Sequence, residues 1–107
     1  MSTHYFIIIL MKTFNWNEDK NKWLQRERGV SFEQVVFCIE NEKLLDIIKH
    51  PNQEKYKGQC FYVADIDNYA LIVPYVESEN AIFLKTIFPS RKYTKIYIRQ
   101  EAKDETV

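Results

Sequence analysis

The chain has few of the residues that interrupt regular structure. Only two glycines and three prolines occur among 107 residues, which excludes collagen-like, linker-like and low-complexity classes. Two cysteines, Cys38 and Cys60, make no metal-ligand spacing with each other or with His4 and His50. No metal site or disulfide framework is therefore expected, and free thiols in a reducing cytoplasm are. Walker, HExxH and GxSxG motifs are all missing, and with them the common signatures of nucleotide, zinc and serine hydrolysis. The apolar run Tyr5 to Met11 spans seven residues, too few for a membrane helix, and it has neither a basic n-region before it nor a small-residue cleavage site.

Charge of one sign is missing from two consecutive stretches. Residues 58–80 carry four acidic side chains and no Lys or Arg, whereas residues 81–99 carry Lys85, Arg91, Lys92, Lys95 and Arg99 and no acid. The whole chain nevertheless balances at fifteen basic and fifteen acidic residues. Charge is thus sorted in space, which suits one anion-binding face opposite an acidic one; an ordinary solvated surface is the alternative.

What is present predicts one α+β domain over residues 1–107. Hydrophobic residues make up 46% and aromatics 15%, enough for a single core at this length. Asn17 followed by Glu18 and Asp19 predicts a helix from Glu18 to about Arg28, stopped by Gly29. Ser31-Phe-Glu-Gln34 reads as a capping box, and Phe32, Val35, Val36 and Ile39 recur at helical period up to about Asn41. From Leu44 the period becomes that of strands: 44–48, 60–66, 69–76 and 81–88, a four-stranded antiparallel meander with Asp67-Asn68 as a two-residue turn. Pro74 requires the third strand to be bulged or unpaired on one side. Ser90 caps a short last helix with Tyr93, Ile96 and Tyr97 as its apolar stripe. Residues 1–12 read either as an N-terminal extension or as the start of an extra first strand ending near Trp16, and 100–107 as a tail.

The residues able to do chemistry are cations, one loop histidine and tyrosines. His50 follows the first meander strand and opens the longest irregular connection, where proton transfer near neutral pH could be served. Lys20 falls between Trp16 and Trp23 by helical spacing; Lys22 and Arg26 share an outer stripe. Such parts suit RNA cleavage, because the 2′-OH is itself the nucleophile and the protein must orient the phosphate, spread its charge and move two protons.

Phe14-Asn-Trp16 with Lys20, then Arg28-Gly29-Val30-Ser31-Phe32, then a meander ending in Ser90-Arg91-Lys92 resembles the BrnT-type toxins of bacterial type II toxin–antitoxin systems. The similarity covers roughly Phe14 to Arg99. It implies a RelE-like fold of two N-terminal helices packed on the antiparallel sheet with a short C-terminal helix. It also implies a cytoplasmic ribonuclease toxin neutralised by a cognate antitoxin, without a cofactor or a membrane. Where this family commonly has a His before the Gly-Val-Ser-Phe run, the chain has Arg28; where it commonly has paired arginines, the chain has Arg91-Lys92. The expected catalytic set is Arg91 and Lys92 on the scissile phosphate, Lys20 assisting and His50 as acid or base. Lys22, Arg26, Arg28 and Lys95 are expected to track the RNA backbone. An antitoxin segment is expected across Lys22, Arg26 and Arg91, in a toxin–antitoxin heteromer or beside a homo-oligomer. The competing reading is a binding module without chemistry, taking nucleic acid or a partner in a repressor complex.

Overall fold

A computed structural model describes residues 11–99; the run Tyr5 to Leu10 and the tail 100–107 lie outside them. Two helices open the fold after a short strand, β1 (Thr13–Asn15): α1 (Glu18–Arg28) and α2 (Phe32–Glu40). The local signals act as their chemistry requires. The Asn17 side chain accepts the Lys20 N–H, and Gly29 closes α1 in the left-handed region at φ 67°, where a residue without Cβ is unstrained. At α2 the capping box is complete: Ser31 accepts from the Gln34 N–H, and Gln34 reaches back to the Ser31 N–H. Two orphan helix donors are thereby satisfied reciprocally.

Asn21 fastens the two helices together. Its side chain is fully buried; Oδ1 accepts the Phe32 N–H at 2.8 Å, while Nδ2 donates to Glu33 Oε1 at 2.7 Å. A polar side chain in the core is thus matched on both ends, and one of the free donors in the first turn of α2 is matched with it.

The sheet consists of β2 (Leu44–Lys49), β3 (Gln59–Ile66), β4 (Tyr69–Glu77), β5 (Ala81–Leu84) and β6 (Phe88–Pro89) together with β1, and α3 (Arg91–Tyr97) follows it. Strand order is β1-β5-β4-β3-β2, with β6 also on β4. Asp67 and Asn68 both have positive φ, 55° and 62°, as the predicted hairpin turn demands. The sheet departs from a pure meander in two ways. β1 joins it parallel to β5, making the sheet mixed, and the predicted fourth strand is broken into β5 and β6. The break faces Pro74: β5 pairs with residues 75–77 of β4 and β6 with 71–72. β3 pairs with β4 without a register shift from Gln59 to Ile66, so Pro74 is tolerated without a bulge: it falls in the gap between the β5 and β6 pairings, where its carbonyl still accepts the Lys85 N–H at 2.8 Å. The bulge lies elsewhere, between Leu44 and Asp46 on β2.

Alternation along the strands builds two cores. On one face Tyr62, Ala64, Leu71, Val73, Tyr75, Ile82 and Leu84 pack with Leu24, Phe32, Val35 and Ile39 of α1 and α2. On the other, Val63, Ala70 and Ile72 are covered by Tyr93, Tyr97 and Ile98. The last helix therefore sits on the sheet face opposite the first two. Its orientation differs from the apolar-stripe expectation. Thr94 is buried and Ile96 is 38% exposed, because Thr94 Oγ1 accepts the Ala70 N–H at 2.9 Å and donates to Ser90 O at 2.7 Å. Two backbone partners for one hydroxyl outweigh the apolar area an isoleucine would hide there.

Candidate functional site

The end of α1 and the β6 edge come together around Trp23. Lys20 Nζ lies 4.3 Å and Arg28 Cζ 5.0 Å from the centre of the Trp23 ring, within the range where a cation is attracted by an indole face. Trp23 in turn packs against the main core, so both cations bear on a fixed platform. Arg28 is fixed a second way: Nη1 donates to the Ile87 carbonyl, an oxygen in the stretch where the sheet edge bends between β5 and β6. Beside it is a cleft of about 270 Å³ lined by Arg28, Val30, Leu71, Ile87, Phe88 and Pro89. Phe88 is 39% exposed at its lip. Clefts that enclose drug-sized ligands start near ~300 Å³; this one has room for part of a ligand, such as one planar base.

Arg91 follows this edge directly. Ser90 N–H donates to Ala70 O at 3.0 Å, and Ser90 Oγ accepts the Tyr93 N–H, so the chain turns from β6 into α3 on two fixed bonds. From Ile87 to Arg91 the chain spans four residues, at most about 14 Å when extended. Arg91 and Lys92 are both exposed, and Lys92 Nζ lies 5.4 Å from the Tyr93 ring centre. Lys22 and Arg26 are exposed on α1, and Lys95 is exposed on α3. Since α1 and α3 cover opposite faces of the sheet, a polyanion touching both has its short route round the edge at β6, where Arg28 and Ser90 meet the sheet.

His50 is held apart from this group. Its N–H donates to Gln59 O at 2.9 Å; Gln59 and Asp65 stand six residues apart on β3, and Asp65 pairs with Ala70, beside Ser90. At ~3.3 Å per strand residue that is roughly 20 Å. The His50 loop is ordered in its own right. Gln53 Nε2 donates to the His50 and Gln59 carbonyls, and the His50 ring lies 4.2 Å from that of Tyr56. Nδ1 accepts the Asn52 N–H at 3.0 Å, which leaves the proton of a neutral ring on Nε2. The structure joins Lys20 with Arg28, sets Arg91 and Lys92 on the adjoining turn, and places His50 at the other end of the sheet.

Two further titratable groups have perturbed surroundings. Burial pushes the Cys38 thiol up to about 11; a backbone hydrogen bond at Asp65 works against this, and the nearby Asp65 carboxylate adds to it. Cys38 therefore stays a protonated thiol and is no nucleophile at neutral pH. On the α3 face, Tyr97 Oη donates to Asp46 Oδ2, and that bond pushes the phenol up to about 12. The folded-state value is raised, so the contribution of this bond is complete below the usual phenol value near ~10 and is lost as pH climbs through about 12. Tyr97→Phe is expected to remove a phenolate step near pH 12 from an alkaline absorbance titration and to flatten the fall in stability over that window. An unchanged titration would place the late step on another tyrosine.

Sequence reasoning set Lys20 between Trp16 and Trp23 and put Arg28 among the backbone-tracking cations. It did not foresee Trp23 as their shared platform, or Phe88 and the Ile87 carbonyl as parts of the site. No family model, curated protein or solved structure matches the chain.

Proposed function

We infer that the chain binds single-stranded RNA across the α1–β6–α3 junction and cleaves it without a metal ion, as a toxin that a partner antitoxin holds in check. The observation that carries this reading is the Lys20–Trp23–Arg28 group locked to the Ile87 carbonyl beside Phe88. Fixed cations next to an exposed aromatic cleft are what a single strand needs: phosphates on the guanidinium and ammonium groups, a base stacked on the ring. In the cleavage step the 2′-oxygen forms a bond to phosphorus and the bond to the 5′-oxygen breaks. One proton leaves the 2′-OH and another reaches the 5′-oxygen. Arg28 and Arg91 spread the charge that builds on the phosphate. Lys20, an ammonium on the same Trp23 ring as Arg28, can give the proton to the leaving oxygen, and solvent hydroxide takes the other.

The distance to His50 favours a second reading, RNA binding without chemistry. Incubating the purified chain with single-stranded RNA in EDTA separates the two. Products ending in 2′,3′-cyclic phosphate, together with growth arrest on expression of the chain alone, are expected for the ribonuclease. With proton removal left to hydroxide, the rate should climb with pH above neutrality without an inflection in the histidine range. Binding without cleavage would establish the second reading, and absence of both binding and arrest would end each of them.

A further inference from the structure

Away from this site, the wall between α2 and the β3–β4 turn holds a cleft of about 360 Å³. Phe37 is its most prominent lining residue, 63% exposed, above a floor that includes Ile66. Three carboxylates, Glu33, Asp65 and Asp67, stand around it with one opposing cation, Lys43. An aromatic side chain left so open among mainly acidic neighbours has the form of a docking surface: an apolar centre with a charged rim.

The outward side of α3 is its counterpart in chemistry. Ile96 is exposed there, with the exposed Lys92 one helical turn before it, the exposed Lys95 next to it, and the exposed Arg99 just past the end of the helix. An apolar centre ringed by cations thus exists on the same chain as an apolar centre ringed by carboxylates. The all-acidic stretch, 58–80, supplies Asp65 and Asp67 to the one, with Glu33 added from α2, and the all-basic stretch, 81–99, supplies every cation of the other. With net charge zero, two copies meet no overall repulsion.

We propose that a second copy of this chain docks the outer face of its α3, centred on Ile96, into the Phe37 cleft of the first. The cleft and α3 lie on opposite sheet faces within one chain, so a chain cannot satisfy itself. The contact is heterologous, with each copy offering its helix to one neighbour and its cleft to another. A seven-residue helix is about 10 Å long at ~1.5 Å per residue, so the contact is small. Association is correspondingly weak and concentration-dependent, and salt weakens it further by screening the rim.

Sedimentation equilibrium of the full chain, freed of nucleic acid, tests this. The average mass should rise with protein concentration at ~50 mM salt and fall toward the monomer at ~500 mM, where the Debye length is well under 10 Å. Two variants divide the interface: Asp65→Asn with Asp67→Asn neutralises the cleft, and Lys92→Gln with Lys95→Gln neutralises the helix. Asparagine tolerates the left-handed conformation that position 67 requires, so the hairpin is kept; circular dichroism checks each fold. Each variant alone should sediment as a monomer at low salt. An equimolar mixture should give pairs and nothing longer, because only one intact helix and one intact cleft remain per pair. A wild-type monomer at every concentration overturns the proposal. So does association indifferent to salt and to both variants, which would place the contact on an apolar surface or on another partner's chemistry.

Discussion

Arg28→Ala should lower the affinity for single-stranded RNA by about 10- to 100-fold, the range for losing a charge-assisted contact of ~1.5–3 kcal/mol. The size of the effect comes from how the side chain is held. Its guanidinium is already placed by the Trp23 ring and the Ile87 carbonyl, so little rotamer freedom is lost when a phosphate arrives. The salt dependence of binding should fall by about one counterion as well. Arg28→Lys keeps the charge but loses the planar fork, and should recover the salt slope more fully than the affinity. Fluorescence anisotropy with a labelled oligoribonucleotide at several salt concentrations reads both quantities. Full affinity in the alanine variant would move the site away from α1.

The largest effect on stability is expected at Asn21, with ~2–4 kcal/mol lost in Asn21→Ala. That variant deletes a hydrogen bond to a carboxylate and leaves the buried Phe32 N–H without its acceptor; the two losses are of order 1.5–3 and 1–3 kcal/mol and overlap. Urea unfolding should show a lower midpoint with an unchanged slope. Asn21→Asp is the informative companion, since it keeps the acceptor for Phe32 but sets a carboxylate against Glu33. Its deficit should shrink in acid, where one of the two carboxyls is protonated, and by more than that of the alanine variant, which loses only the charge-assisted part of one hydrogen bond there. A loss under ~0.5 kcal/mol in the alanine variant would mean that the α1–α2 corner is held by packing alone.

What the sequence made legible is what lies close along the chain. Asn17, Ser31 and Ser90 cap their helices through bonds three residues long, and the Asp67-Asn68 turn needs only its two neighbours. The parallel pairing of β1 and the break after Leu84 depend on residues far away in sequence, the second on a proline of a different strand. The same non-local geometry makes Arg28 central, because the Ile87 carbonyl is open to it only where the edge bends. The remoteness of His50 was legible in principle. Strand directions alternate through the meander, so the loop after β2 and the turn after β3 fall at opposite ends. A strand antiparallel to β4 must then finish, with Ser90 and Arg91, at the turn end.

The bulge between Leu44 and Asp46 has a consequence for solubility. β2 is the outermost strand on its side, and its sequence Leu-Leu-Asp-Ile-Ile-Lys is the kind of short, β-branched-rich segment that templates intermolecular pairing when its edge lies flat and open. The extra residue twists that edge. Asp46 is drawn toward Tyr97 and also accepts the Ile47 N–H at 2.7 Å, so a backbone donor is engaged by the strand's own side chain. An incoming strand therefore meets a kinked margin with a carboxylate in its path and Lys49 at its end.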